Sequence, residues 1–232
     1  MTINGISISA YGAILLSKQI TNHDVIQVYN WLDGAAMPVF ARNEQRFKDI
    51  SLTFLIESSS ESATEGYFSA LVLALRDCVI LFTELSKYFA CHFDGKVEPK
   101  KLTTKAWLVE VDLKCHKTYL PEVVITANGV SSKSITSTGA IPSPCLITVT
   151  PTVAITEYTI SGLSGTSIKI KNLTANKAHV IDGYLFRYLK DGGNDIANYN
   201  AFEWPVLPVG TTNVGLSHTT ANVTIQYYPL FN

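Results

Sequence analysis

The sequence predicts a mainly-β protein with one α-helix, built as two successive β domains. Three observations carry that expectation. Phe47 to Glu57 and Ala106 to Cys115 alternate apolar and polar residues with period two, as half-buried strands do. One stretch alone switches to helical spacing, with Tyr67, Phe68, Leu71, Val72 and Leu75 on a common stripe. Beyond Asn128 the chain shows only short β patterns separated by turn residues, the pattern of a sandwich or jelly roll.

In chain order, Ile3 to Ile8 is a β pattern broken by Asn4-Gly5, a hairpin turn signal. Tyr11 and Gly12 lead into a strand from Ile14 to Ile20. Val25 to Tyr29 is another strand, closed by turn residues Asp33 and Gly34. After Pro38 the polar run Arg42 to Arg46 reads as a loop. In the next strand Ile50, Leu52, Phe54 and Ile56 face one way. Asp49, Ser51, Thr53 and Glu57 face the other, with Leu55 the exception. Ser62 and Glu65 form a capping box ahead of the helix, whose apolar stripe is a core face rather than a docking groove.

Val79 to Phe82 is a short buried strand, and Tyr88 to Phe93 a strand that ends at Asp94-Gly95. Lys96 to Lys105, basic and with Pro99 inside it, reads as an exposed loop or hairpin arm. Its lysines form a solvated face rather than a nucleic-acid patch, because the whole chain is near neutral. From Ala106 to Cys115 the inward set is Trp107, Val109, Val111, Leu113 and Cys115, and Pro121 to Thr126 continues in β.

Asn128 to Pro144 is rich in Ser, Thr, Gly and Pro, and the expected domain boundary lies inside it: 1–133 and 134–232. Strands follow at Leu146 to Val153 (interrupted by Pro151), Glu157 to Ser161, Ser167 to Lys171, Ala178 to Ile181 and Tyr184 to Leu189. Turn signals stand at Asp182-Gly183 and at Asp191 to Asn194. Phe202 to Ser217 then pins Trp204 between Glu203 and Pro205, turns tightly at Leu207 to Gly210 and resumes β at Val214 and Leu216. Asn222 to Tyr228 is the closing strand.

Composition narrows the function classes. Hydrophobic residues make up 47% and charged residues 16% of the 232, a folded and weakly charged chain. A net charge of −1 gives no basis for electrostatic capture of nucleic acid or of an anionic membrane. No signal peptide and no run of about 18 apolar residues is visible, so the expectation is a product made and kept soluble in a cytoplasm. The four cysteines form no C-x-x-C pair and read as buried thiols in a reducing compartment. Cys91 with His92, and Cys115 with His116, are strand neighbours on opposite faces, so neither pair shares a metal. No G-x-S-x-G elbow, Walker loop or G-x-G-x-x-G occurs. Asp191 to Asp195 lacks the acidic spacing of an EF-hand and reads as a surface turn. No facing carboxylate pair for glycan hydrolysis stands out. The expectation is therefore a non-enzyme without metal or cofactor.

Ile3 to Ser9 followed by Tyr11-Gly12, Trp31 with Gly34 ahead of Pro38-Val39-Phe40, and a strand from Phe47 to Ile56 followed by one helix resemble the N-terminal domain of the distal tail proteins of long-tailed bacteriophages. The second half is similar to that family's C-terminal domain. Pro142 and Pro144 precede a strand from Leu146 to Thr150. Ile168 to Leu173, Val180 to Gly183, Phe202 to Pro205 and a final strand ending at Pro229 follow in order. The resemblance implies a structural hub of a phage tail tip or baseplate. Its N-terminal domain would close a homohexameric ring around the tail channel, between the tail tube protein and the tail-tip or baseplate proteins. A galectin-like sandwich would hang outside, as an attachment platform. It further implies a virion component assembled in the host bacterial cytoplasm. At 232 residues the chain is short for that family, so the expectation is that it carries no additional carbohydrate-binding module.

A closed ring needs two complementary patches per subunit, and edge strands expose unpaired backbone groups suited to that. The candidate ring-interface residues are Ile3, Ile6 and Ile8 on the first β pattern and Lys96, Lys100 and Lys101 on the basic arm. The alternative is an adhesin recognising host glycan through the sandwich. Glu203 and Trp204 are its candidate sugar contacts, since sugars stack on aromatic rings and hydrogen-bond to carboxylates. His179, Arg187 and Asn194 complete the residue types, though not the spacing, of a galectin site.

Overall fold

The computed structural model describes residues 1–21, 25–30, 37, 39–45, 47–93 and 95–231. The expected turn at Asp33-Gly34, the resemblance residues Trp31, Gly34 and Pro38, and Asp94 lie outside the described residues. The chain is mainly β with one α-helix, as expected, and divides into two compact units, Met1–Thr118 and Tyr119–Phe231.

The first unit contains β1 (Thr2–Ile3), β2 (Ile6–Ser7), β3 (Ala13–Ile20), β4 (Val25–Asn30), β5 (Val39–Gln45), β6 (Lys48–Glu57), α1 (Glu61–Leu75), β7 (Asp77–Phe82), β8 (Lys87–His92), β9 (Lys100–Lys101) and β10 (Ala106–Tyr119). The main sheet runs β2-β1-β7-β8-β10-β6-β3, while β4 and β5 pair with each other as a separate ribbon. The period-two patterns explain the sheet's core. Phe54 lies opposite Val109 and Leu52 opposite Val111, so both strands turn their apolar sets to one face. Leu71 and Leu75 of α1 close over that face, and Phe68 meets the Trp107 ring edge-on at 5.8 Å. Of the expected stripe on α1, Leu71 and Leu75 are buried and Phe68 and Val72 half-buried, while Tyr67 stays exposed at its rim.

Two expectations need correction here. The helix starts before the expected capping box. Ser60 is the N-cap, its hydroxyl accepting from the Ala63 N–H at 3.3 Å, and Ser62 lies inside the first turn. Arg42 to Arg46 is not a loop through Gln45. The ladder to β4 holds Val39–Gln45 extended, and backbone pairing outweighs the polar composition. The basic arm takes the hairpin form of the two expected. Lys100 and Lys101 pair as β9 with β10, and the Lys101 ammonium sits 4.7 Å over the Trp107 ring and 2.9 Å from the Glu61 carboxylate.

The second unit is a two-sheet sandwich. Its strands are β11 (Val123–Thr126), β12 (Ser132–Ser137), β13 (Ser143–Pro151), β14 (Ile155–Ser161), β15 (Ile168–Leu173), β16 (His179–Asp182), β17 (Arg187–Lys190), β18 (Gly193–Asn194), β19 (Tyr199–Asn200), β20 (Val206–Leu207), β21 (Gly210–Leu216), β22 (Ala221–Tyr227) and β23 (Leu230–Phe231). One sheet runs β11-β22-β13-β16-β17-β18, with β20 beside β13, and the other β12-β21-β14-β15-β19. Ile147, Val149, Val223 and Ile225 from the first meet Tyr158, Ile160, Ile168 and Ile170 from the second in one core.

The unit begins at Tyr119, ahead of the expected boundary at 133/134. β11 and β12 both belong to the sandwich, paired to β22 and β21 respectively. The Ser- and Thr-rich stretch is thus an edge strand with Ile135 buried, not a linker. Asp191-Gly192 forms the expected surface turn. Both residues have positive φ, +50° and +82°, as a two-residue type I′ hairpin requires. Asn4-Gly5 does the same between β1 and β2.

Candidate functional site

Among the described residues no group of three His, Cys, Asp or Glu side chains is arranged to hold a metal ion, and no helix is long and apolar enough to cross a membrane. The features open to function are surfaces, one set on each unit.

On the first unit the short edge strand β2 presents Ile6 at 49% exposure, while Ile3 is fully buried in the core and Ile8 packs half-buried against it. Of the three lysines, Lys101 is held by Glu61 and Trp107. Lys96 pairs with Glu98 at the surface, and Lys100 is exposed on β9. The opposite edge, not singled out by sequence, is β3. It is eight residues long, bulged between Leu15 and Ser17, with Ile14 and Leu16 exposed at 53% and 54%. A long edge with exposed aliphatic side chains is a template for pairing with another strand.

On the second unit, Trp204 sits in a run of stacked rings. Tyr199 lies parallel to it at 4.5 Å, and Phe186 meets it edge-on at 6.1 Å. Behind Tyr199 come Tyr188 at 6.0 Å and His179, stacked on Tyr188 at 6.0 Å. The loop carrying Trp204 is fixed by three hydrogen bonds. The Glu203 carboxylate accepts from the Gly165 N–H at 2.7 Å, the Glu203 carbonyl from the Tyr199 hydroxyl at 2.7 Å, and the Trp204 carbonyl from the Ser164 hydroxyl at 2.6 Å. Burial pushes the Tyr199 phenol up to about 12, so it stays a donor.

The galectin-type residues are similarly committed. His179 is buried. Its Nε2 accepts from the Thr174 N–H at 3.2 Å, which leaves the proton on Nδ1 to donate to the Tyr188 hydroxyl at 2.6 Å. Burial lowers its pKa, consistent with a neutral ring. Arg187 pairs with Asp182 at 3.1 Å, and Asn194 accepts from the Ile196 N–H. The exposed aromatic beside Glu203 is Phe202, at 97%, with Phe186 at 66% and Leu185 at 61%. Phe186 holds a left-handed φ of +53°, a costly conformation for a bulky residue, and so projects from the turn between β16 and β17. Sequence reasoning named Trp204 and passed over Phe186 and Phe202, because exposure of an aromatic is a property of the packed loop.

These features define a two-unit, mainly-β protein whose open features are edges and apolar loops. Solved structures with the same fold are phage tail components. The chain is similar to the Dit protein of phage SPP1, described as a paradigm of the hub adsorption apparatus in phages infecting Gram-positive hosts. The TM-score is 0.78 at 15% identity, over 99% of this chain and 98% of that one. It is also similar to chains of the phage P2 baseplate in its activated conformation, with calcium and with strontium. Both give a TM-score of 0.54, at 9% and 10% identity, over 94% of this chain and 91% of the other. No protein-family model and no curated protein matches the chain. The resemblance to the distal tail proteins therefore holds at the level of fold, across both units.

Proposed function

We propose that the chain is the structural hub of a bacteriophage tail tip or baseplate, acting as a homohexameric ring between the tail tube protein and the tail-tip or baseplate proteins. It would be a virion component assembled in the host cytoplasm. The observation that carries this reading is the end-to-end likeness to the SPP1 Dit hub, which covers both units of each chain. The first unit supplies the ring. Among the described residues its sheet ends in two unpaired edges, β2 with Ile6 and β3 with Ile14 and Leu16, and two different edges are what a head-to-tail closed ring uses. The second unit supplies the platform, with Leu185, Phe186 and Phe202 as its apolar contact. The hub reading is preferred to the adhesin reading because the Trp204 ring and the Glu203 carboxylate are already occupied within the unit.

Light scattering on the purified chain, with negative-stain images of the same peak, tests the proposal. Six times the 25.4 kDa chain mass with annular particles supports it. A monomer that stays monomeric when mixed with tail tube and tail-tip proteins sinks it.

A further inference from the structure

Three of the four cysteines and one lysine share a buried row apart from the edges and loops proposed for hub assembly. Cys78 on β7 lies directly opposite Cys91 on β8, and Cys115 on β10 directly opposite Lys48 on β6. Because β8 lies beside β10 in the sheet, the four side chains cross four neighbouring strands on its buried face. They are 5%, 1%, 0% and 6% exposed. Three members of the row lie at or next to strand ends, since Lys48 opens β6, Cys78 is the second residue of β7 and Cys91 the penultimate residue of β8, while β10 runs on past Cys115 to Tyr119. Sheet ends open locally at lower cost than centres, which gives a small reagent a path in.

The chemistry along the row is asymmetric. The Cys91 thiol interacts with the sulfurs of both Cys115 and Cys78. The Cys115 sulfur lies 3.8 Å from the Thr118 hydroxyl, to which the Lys48 ammonium donates at 3.4 Å. The hydrogen bond from Cys91 outweighs burial and, with Thr118 and the Lys48 charge, brings the Cys115 thiol down to about 7. The same pairing drives the Cys91 thiol upward. Cys145, alone in the core of the other unit, is pushed up to about 12 by burial.

We propose that Cys115 and Cys91 form a peroxide-driven disulfide, with Cys115 as the attacking sulfur and Cys91 as the resolving thiol. The Cys115 thiolate attacks one peroxide oxygen, the O–O bond breaks, and the departing hydroxide takes up a proton to leave as water. Cys115 is then a sulfenic acid. The Cys91 sulfur attacks it, the S–O bond breaks, and the hydroxide leaves with the Cys91 proton as a second water. Two thiols lose two electrons, one peroxide is reduced, and one disulfide forms. β8 and β10 are neighbouring strands, about 4.8 Å apart, and the Cys91 thiol hydrogen-bonds the Cys115 sulfur, which sets the two side chains within the reach of a disulfide.

The test exposes the reduced full chain to hydrogen peroxide at neutral pH and blocks remaining thiols with N-ethylmaleimide in denaturant. The linkage is mapped by mass spectrometry without reduction. The expected result is two thiols lost, one Cys91–Cys115 linkage, and Cys78 and Cys145 both blocked. Four blocked thiols, a linkage through Cys78, or oxidation of Cys145 before the row would each overturn the proposal. In Cys115→Ser the remaining thiols should be lost at least tenfold more slowly, and an unchanged rate counts against Cys115. The mapping of the unsubstituted chain stands even where that variant does not fold.

Discussion

Trp204→Ala separates a structural tryptophan from a ligand-binding one. The indole is half-buried, packed parallel on Tyr199 at 4.5 Å and edge-on to Phe186 at 6.1 Å. Truncating a fully buried Trp costs about 3–5 kcal/mol. Half of that, about 2 kcal/mol, suits a half-buried ring, and the lost aromatic stack adds about 1 kcal/mol. The expected penalty of about 3 kcal/mol corresponds to a fall of roughly 10 °C in Tm for a unit of this size. Calorimetry is the suitable assay, because the substitution removes the one tryptophan of the second unit, Trp31 and Trp107 belonging to the first. A parallel Leu71→Ala variant marks the transition of the first unit. The expected result is a drop confined to the transition that Leu71→Ala leaves in place. A Tm within about 2 °C of the unsubstituted chain would refute the packing account, and loss of glycan binding at unchanged stability would establish the adhesin in its place.

Three further outcomes follow from the same geometry. Gly183→Ala should destabilise the second unit by about 2–3 kcal/mol, since its Cβ would stand 2.5 Å from the Pro205 carbonyl and 2.9 Å from that of Cys145, both backbone. A urea midpoint equal to that of the unsubstituted chain would contradict it. His179 has a folded-state pKa below its unfolded value, so the unfolded chain binds more protons in the acid range. The histidine's contribution should therefore be complete above about pH 6.5 and diminish as pH falls below it, at no more than about 1.4 kcal/mol per pH unit. Thermal scans from pH 7.5 to 5 should show the loss, and His179→Gln should flatten it. Leu16→Lys places a charge on the exposed β3 edge. It should leave Tm nearly unchanged while lowering the mass of any ring seen by light scattering, and a ring of full mass removes β3 from the interface.

Strands buried on one face were legible because their period-two pattern is enforced by a core. β6 and β10 are the examples, and the Asn4-Gly5 and Asp191-Gly192 turns were legible because positive φ demands those residues. Elements held by pairing rather than burial were not. Arg42 to Arg46 reads as a polar loop, yet through Gln45 it is strand because β4 lies beside it, and Ser132–Ser137 carries two buried residues, Ile135 and Ser137. The helix start slipped by two residues because two serines compete, and only the geometry shows Ser60 meeting the Ala63 N–H. Trp204 was visible as a residue, yet its meaning rests on Phe186, eighteen positions earlier, and on a left-handed φ that the sequence does not announce. The thiol row depends on strand order, which no spacing of Cys78, Cys91 and Cys115 encodes. The opposite-face rule did hold locally, with Cys91 and Cys115 inside while the His92 and His116 rings neighbour each other at 6.1 Å.

Trp107 has an indole N–H buried without a partner among the described residues and a lysine ammonium resting over its ring. An unbonded, water-excluded indole emits toward the blue, and a cation held at its face perturbs that emission. Lifting Lys101 away would change both brightness and wavelength. In a Trp31→Phe, Trp204→Phe background the chain would therefore carry a label-free optical gauge of whether the Lys100–Lys101 segment is seated on its sheet, readable in real time as a partner is added.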